Sequence, residues 1–125
     1  MIAAIANDGK MMKPHLLLNE ESIAVFDFSE WKDALKEVQA GMRDAVAKNY
    51  GTANLLFDLP YRTAGKTGSA QVANKKKTNA FFVGYGPFDD PKIAILILVE
   101  DAKEGSLNAV PIAKDVLKWY YDNRL

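Results

Sequence analysis

Apolar residues recur along this chain with two spacings, and each spacing predicts a kind of element. Between Glu30 and Lys48 they lie three or four positions apart, which predicts an amphipathic helix. The same spacing predicts a closing helix from Val110 to Asn123. A short helix over Ile2 to Ala6 is expected to end at Asn7-Asp8-Gly9, because glycine readily adopts the left-handed conformation that terminates helices.

Other segments have the apolar, β-branched composition of strands. His15 to Leu18 and Ile23 to Phe28 are predicted to form a small hairpin. Three longer segments, Thr63 to Val72, Asn79 to Gly86 and Lys92 to Glu100, are predicted to form one antiparallel sheet. The loop between the second and third of these segments is rich in proline and aspartate, which favours a hairpin. The segment Thr63 to Val72 is expected at an exposed edge of the sheet.

The segment Ile93 to Val99 is apolar at every position. Strands without a polar face are usually buried on both sides, so helices are expected on both faces of the sheet. The whole pattern predicts a single domain of the α/β (α+β) class, with an antiparallel sheet covered by helices.

Composition excludes several functions. Sixteen basic and sixteen acidic residues cancel, so charge gives no reason to expect nucleic acid or an anionic membrane as a partner. The sequence has no cysteine and a single histidine, His15, which excludes a disulfide scaffold and a Cys- or His-rich metal site. The basic run Lys75-Lys76-Lys77 is predicted to be the solvated tip of a loop.

The most informative segment is Gly65 to Gln71, which contains Lys66-Thr67-Gly68. A strand with a cation, a hydroxyl and a glycine can bind a carboxylate, and alternation places Lys66 and Gly68 on one face and Thr67 and Ser69 on the other. A nucleotide-binding P-loop is a poor alternative. Its first glycine would fall at Pro60, and no helical pattern follows the motif.

Several segments together resemble, in the same order, class B penicillin-binding proteins. The likeness is strongest to the penicillin-binding protein 2 branch, with the division and sporulation members as near alternatives. Lys66-Thr67-Gly68 matches one part of the signature of these serine acyl enzymes. Four further matches lie at Met1 to His15, Gly51-Thr52-Ala53, Asn79 to Tyr85, and Val99-Glu100 with Pro111 to Lys114. Two departures are Ser69, where threonine is usual, and Asp101 to Ser106, which replaces a glycine-rich loop.

The resemblance implies that residues 1–125 are the C-terminal portion of a transpeptidase domain with a partial β-lactamase/transpeptidase-like fold. In the family, the nucleophile in Ser-x-x-Lys and the Ser-x-Asn loop both precede Lys-Thr-Gly. Ser29 to Lys32 and Ser106 to Asn108 fit these patterns formally, but in the wrong order. We predict instead that Ser29 caps a helix, and that Ser106 and Asn108 form a turn or cap.

The resemblance also implies roles for individual residues. Lys66 would supply positive charge in the cleft and take part in proton transfer. The Ser69 N–H would bind the oxyanion. Thr67 and Ser69 would hold a substrate carboxylate, beside Gly68. The backbone from Ser69 through Ala70 to Gln71 would pair with the substrate as an added strand. No metal and no cofactor are implied.

The expected activity of the parent protein is that of a peptidoglycan D,D-transpeptidase. Its expected partners are stem peptides ending in D-Ala-D-Ala, β-lactams and a glycan-strand polymerase. The parent protein is expected to act at the extracytoplasmic (periplasmic) face of the bacterial inner membrane. Its membrane anchor is expected to lie outside this chain. The chain alone is predicted to be inactive and to self-associate. Two alternatives stay open: a non-catalytic binding module of this fold, and a β-lactamase or D,D-carboxypeptidase relative.

Overall fold

A computed structural model describes residues 1–72 and 77–125. Its helices are α1 (Ile2–Ala6), α2 (Lys32–Ala47) and α3 (Val110–Arg124), and its strands are β1 (Lys10–Met12), β2 (Ala24–Asp27), β3 (Ala64–Val72), β4 (Lys77–Gly86) and β5 (Ile93–Val99). Short 3-10 turns at Ser29–Trp31 and Asn54–Leu56, and a π-helical turn at Gly105–Ala109, lie between these elements. The mixed helix and antiparallel-sheet class expected from the sequence is confirmed.

The main sheet is antiparallel, with its strands in the order β3-β4-β5. Ala64 lies opposite Tyr85 on β4, and Gly86 lies opposite Ile93 on β5. The strand that carries Lys66 is therefore at an edge, and β4 and β5 form the predicted hairpin.

The main core lies between one face of this sheet and α3. Phe82 of β4 is fully buried there together with Leu117 of α3, Leu56 of the preceding 3-10 turn and Val46 of α2. Alternate residues of β5 pack against the same cluster: Ile93, Ile95, Ile97 and Val99. Burial of these side chains from water supplies the main stabilisation of the fold.

Within residues 1–72 and 77–125, the opposite face of the sheet is covered at the end where Tyr85 lies. Tyr85 and Met42 form a second, smaller core there, against Ile2 and Ile5 of α1. The side chain of Gln39 on α2 donates a hydrogen bond to the Ile5 carbonyl at 2.7 Å, which ties the two covering helices together.

The expected burial of β5 on both faces is wrong. Leu96 is 62% exposed and Leu98 is 45% exposed, although every residue of the strand is apolar. The reason is the length of the covering helix. With five residues, α1 packs over Tyr85 and does not extend along the strand to Leu96.

The small hairpin forms with different residues from those predicted. β2 pairs with β1, and Met11 lies opposite Phe26. The expected strand at His15 to Leu18 is wrong: these residues form no strand, and the Leu16 and Leu18 side chains are almost fully exposed. The Lys13 N–H donates to the Ile23 carbonyl, and the next residue is Pro14, which has no N–H to continue the ladder.

The helix ends follow local hydrogen bonding. The prediction that Ser29 caps the long helix is wrong, because Ser29 begins a 3-10 turn and makes no side-chain cap. The Asp27 carboxylate accepts the Ser29 N–H at 2.8 Å instead, and hydrogen bonding from Ser29 lowers the pKa of Asp27. At the end of α1, Gly9 has the predicted left-handed conformation, with φ of 95°.

Part of the predicted lysine-rich tip, Lys75 and Lys76, lies outside the described residues. Lys77 begins β4, and its Nζ pairs with the Asp101 carboxylate at 2.8 Å. Within residues 1–72 and 77–125, no helix combines the length and the hydropathy needed to cross a bilayer.

We predict that Leu117→Ala lowers the free energy of unfolding by about 2–5 kcal/mol, because Leu117 is fully buried and its loss leaves a cavity. Urea denaturation followed by circular dichroism measures the change. The matched control is Leu107→Ala at a 60% exposed position, where a change of about 0.5 kcal/mol or less is expected. Equal losses for the two variants would contradict the assignment of the core.

Candidate substrate-binding strand

The register of β3 determines where its polar side chains lie. Lys66 is opposite Val83, whereas Thr67 is opposite the buried Phe82. Cross-strand partners share a face of a sheet, so Thr67 lies on the face of the main core and Lys66 on the other. This is the alternation predicted from the sequence.

Lys66 is exposed on the edge strand, and its Nζ donates to the Thr67 carbonyl at 2.5 Å. It takes part in no ion pair with the residues that the structure describes. A lysine ammonium has three donors, so the cation can also bind an incoming carboxylate.

Thr67 contacts a residue from a distant part of the sequence. Its Oγ1 donates to the Thr52 Oγ1 at 2.8 Å. Thr52 follows Gly51, where an added Cβ would lie 2.2 Å from the Ala45 carbonyl oxygen, so the turn can approach the end of α2 only with glycine. The structure thus brings together Gly51-Thr52-Ala53 and Lys66-Thr67-Gly68, which the sequence showed only as separate segments.

The beginning of β3 is held by α2. The Arg43 guanidinium donates to the carbonyl of Thr63 at 2.9 Å, one residue before the strand starts. Burial lowers the pKa of Arg43 from its ordinary, very high value, and the neighbouring Arg62 cation lowers it further. Arg43 remains charged at neutral pH, because even a lowered guanidinium pKa stays far above 7.

The segment after β5 closes over Gly68. The Gly105 N–H lies 3.4 Å from the Ser69 Oγ. A Cβ on Gly105 would lie 2.4 Å from the Phe81 carbonyl oxygen and 2.9 Å from that of Gly68. A Cβ on Gly68 itself would meet only the Phe81 Cβ, at 3.5 Å. Within the described residues, the glycine that permits this close approach is therefore Gly105, which the sequence analysis missed.

Ser106 and Asn108 support this closing segment, as the predicted turn role requires. The Asn108 Oδ1 accepts the backbone N–H groups of Lys103 and Glu104 at 3.0 and 3.2 Å. The Ser106 hydroxyl donates to the Glu104 carboxylate at 2.6 Å. Both side chains are thus engaged in local turn contacts.

The outer half of β3 provides an open edge. Ser69, Ala70 and Gln71 are exposed, and in the described part of the chain β3 pairs with β4 alone. Alternate backbone N–H and C=O groups of an edge strand point away from its neighbour and can pair with an extended peptide. The edge therefore combines a cation, hydroxyls and a ladder of backbone groups.

Ser29 and Lys32 lie elsewhere. Ser29 begins the 3-10 turn after β2, and Lys32 follows that turn as the first residue of α2, so neither residue lies on the sheet that carries Lys66. Among the hydrogen bonds of the described residues, no serine hydroxyl is paired with a lysine Nζ.

Comparison with known proteins identifies the class of this fold and site. A family model described as the penicillin binding protein transpeptidase domain matches residues 1–118. The chain therefore belongs to this family, and the resemblance inferred from the sequence is confirmed.

Members named penicillin-binding protein 2 or MrdA are among the relatives that this chain resembles. Peptidoglycan D,D-transpeptidase MrdA of Haemophilus influenzae is 31% identical over 97% of this chain, which covers 22% of that relative. The structure of penicillin-binding protein 2 from Helicobacter pylori superimposes on this chain with a TM-score of 0.87 and 28% sequence identity. The match covers 99% of this chain and 23% of the Helicobacter pylori chain. In a second Helicobacter pylori structure, penicillin-binding protein 2 is in complex with MreC. Its similarity to this chain has a TM-score of 0.80 and 28% sequence identity, and it covers 99% of this chain and 24% of the other.

We predict that Gly105→Ala destabilises the protein and loosens the contact with β3, because the new Cβ would lie 2.4 Å from the Phe81 carbonyl oxygen. The expected loss is about 1–3 kcal/mol of unfolding free energy, with faster amide exchange at Gly68 and Ser69. Urea denaturation and hydrogen exchange measure the two effects.

Gly41→Ala is the matched control. Gly41 lies within α2, and an added Cβ there has no neighbour within 4 Å. Alanine should stabilise this helix by about 0.5–1 kcal/mol and leave exchange in β3 unchanged. Stabilisation by Gly105→Ala as well would refute the packing described for that segment.

Proposed function

We propose that this chain is the C-terminal, substrate-binding part of the transpeptidase domain of a peptidoglycan D,D-transpeptidase. It spans 22% to 24% of the length of the first curated relatives it matches, which supports assigning the catalytic act to a longer protein. The observation that carries the proposal is the edge strand β3. It presents exposed Lys66 and is supported on the side of Thr67 and Ser69 by Thr52 and Gly105.

Binding of the stem peptide at this edge follows from the chemistry of its end. The terminal D-alanine bears a carboxylate, which the Lys66 ammonium would attract and the hydroxyls of Thr67 and Ser69 would bind. The extended peptide would pair with the backbone from Ser69 to Gln71 as an added strand. Gly68 keeps the strand free of a side chain beside Lys66.

In the longer protein, a serine Oγ would attack the carbonyl of the penultimate D-alanine and lose its proton to a base. The carbonyl oxygen becomes an oxyanion, which the backbone N–H of Ser69 would stabilise. Collapse of this intermediate breaks the peptide bond. The terminal D-alanine then leaves with a proton on its amine, and an acyl-enzyme ester remains.

The second half of the reaction would transfer the acyl group. An amine of a neighbouring stem peptide attacks the ester, a new amide forms, and the serine recovers its proton. A β-lactam acylates the same serine because its strained amide and its carboxylate resemble the peptide end. Lys66 and Thr67 would bind the β-lactam carboxylate in the same way.

The cellular setting is part of the proposal. A transpeptidase that acts on peptidoglycan works at the extracytoplasmic face of the membrane, together with a glycan-strand polymerase. One structural relative is in complex with MreC, which supports assembly of the longer protein with a partner protein.

We predict that fluorescent penicillin does not label the 125-residue chain. Labelling needs a serine with a base beside it, and the described serines lack a lysine partner. Gel fluorescence and mass spectrometry measure the adduct. Stoichiometric labelling at any serine of this chain would show a self-sufficient enzyme and reject the assignment.

In the longer protein that contains the upstream part, labelling is expected, and Lys66→Ala should slow acylation by on the order of 100-fold by removing the cation that orients the carboxylate. The matched control is Lys36→Ala, at an exposed position of α2. Its acylation rate should equal that of the unchanged protein. A longer protein that takes no label would favour the non-catalytic binding module.

A further inference from the structure

The hydroxyl of Thr52 is paired with a hydroxyl of the binding strand. Its Oγ1 lies 2.8 Å from the Oγ1 of Thr67, a residue 15 positions further along the chain. In the proposed function, Thr67 binds the substrate carboxylate. The contact with Thr52 therefore constrains a hydroxyl that has to meet the substrate.

The turn that carries Thr52 is fixed to the end of α2 by its own backbone. The Ala53 N–H donates to the Ala45 carbonyl at 3.0 Å, and the Gly51 N–H donates to the Lys48 carbonyl at 2.9 Å. Ala53 is fully buried, and a Cβ on Gly51 would lie 2.2 Å from the Ala45 carbonyl oxygen. The backbone of Thr52 is thus held in one position relative to the helix.

The same part of α2 also holds the start of β3. The Arg43 guanidinium donates to the Thr63 carbonyl at 2.9 Å, and Arg43 lies two residues before Ala45. Both threonines of the hydroxyl pair are therefore positioned from one turn of one helix. Threonine is also branched at Cβ, so its χ1 angle has few alternatives. The distance between the two hydroxyls is thus determined by packed backbone and restricted rotamers.

The number of protons decides what this pair can bind. A hydroxyl has one proton to donate and two lone pairs that accept, whereas an ionised carboxylate only accepts. In the free chain, the Thr67 hydroxyl donates its proton to Thr52. To bind a carboxylate, Thr67 must use that same proton. The pair then persists only if its direction reverses and Thr52 donates to Thr67, which rotation of the two hydroxyls allows.

We propose that Thr52 is a positioning residue for substrate recognition, whose hydroxyl donates to the Thr67 Oγ1 and directs the Thr67 proton toward the substrate carboxylate. This inference rests on the proposed function, since it requires that Thr67 binds a carboxylate. A hydroxyl that accepts one hydrogen bond becomes a better donor in the next. Its bond to an ionised acceptor is in turn stronger than one to a neutral group.

The second hydroxyl of the binding strand has a comparable arrangement. The Gly105 N–H lies 3.4 Å from the Ser69 Oγ, and a backbone N–H can only donate. The Ser69 oxygen accepts in this contact, so its proton is free to bind the same carboxylate. Thr67 and Ser69 would then each have a donor behind them when the substrate is bound. This agreement supports the reversed direction of the threonine pair.

The test uses the longer protein and the second-order rate constant for acylation by fluorescent penicillin. Thr52→Val removes the hydroxyl and keeps the branched shape. It should slow acylation about three- to tenfold, the usual net effect of one neutral hydrogen bond. The matched control is Thr52→Ser, which keeps the hydroxyl and should stay within about twofold of the unchanged protein. Circular dichroism checks that each variant is folded.

A double-mutant cycle separates positioning from a general structural role. Thr67→Val removes the hydroxyl that Thr52 is proposed to direct. In that background, adding Thr52→Val should leave the acylation rate constant unchanged. If Thr52 acted only by stabilising the turn or the strand, Thr52→Val would slow acylation to the same extent in both backgrounds.

Three outcomes would overturn the inference. They are an unchanged rate constant in Thr52→Val, a Thr52→Ser variant as slow as Thr52→Val, and an equal effect of Thr52→Val with and without Thr67. Absence of label on the unchanged longer protein would instead reject the proposed function, and this inference with it. The behaviour of the unchanged protein therefore distinguishes the two failures.

Discussion

The packing of one aromatic ring against two glycines holds the sheet together at the place where the site lies. The Phe82 ring fills the space that side chains at Gly65 and Gly84 would need, since an added Cβ would lie 2.4 Å from the ring at Gly65 and 2.7 Å from it at Gly84. These glycines face each other across β3 and β4, and Phe82 is fully buried. The edge strand with Lys66 is thereby joined to the main core one residue before the cation. A strand fixed in this way can present its polar groups without rearrangement.

Around that packing, the polar part of the site depends on few contacts. Thr52 and Gly105 reach β3 from segments that follow α2 and β5, and both depend on backbone approaches that only glycine allows, at Gly51 and Gly105. Lys66, on the opposite face, is exposed. The main-core face of β3 is thus supported by local packing, whereas the other face exposes the Lys66 ammonium to solvent. A packed face opposite an exposed one suits a surface that receives a ligand.

The two edges of the sheet differ in chemistry. The β3 edge has a cation, hydroxyls and small residues, which suits recognition of a polar peptide end. The β5 strand is apolar along its length and is bounded by Lys92 and Glu100. The central strand β4 separates the two.

The family, the long helices, the three main strands and the face on which Lys66 lies could all be predicted from the sequence. These features follow from local periodicity and from motifs whose residues are close together in the chain, where residue type and spacing are sufficient. The sequence misplaced one strand of the small hairpin, because β1 and β2 are too short to give a clear alternation. It also assigned a helix cap to Ser29, whose backbone N–H instead donates to the Asp27 carboxylate.

The contacts between distant segments could not be predicted from the sequence and are visible in the folded chain. The contact of Thr67 with Thr52 and the approach of Gly105 to Gly68 join residues far apart in sequence, and no local pattern encodes such distances. The exposure of Leu96 likewise depends on how far α1 extends over the sheet. An apolar segment favours burial, but its composition does not identify the element that covers it. The physical reason is the same in each case. Periodicity fixes the direction of a side chain within its own element, whereas its neighbours depend on the packing of the whole chain.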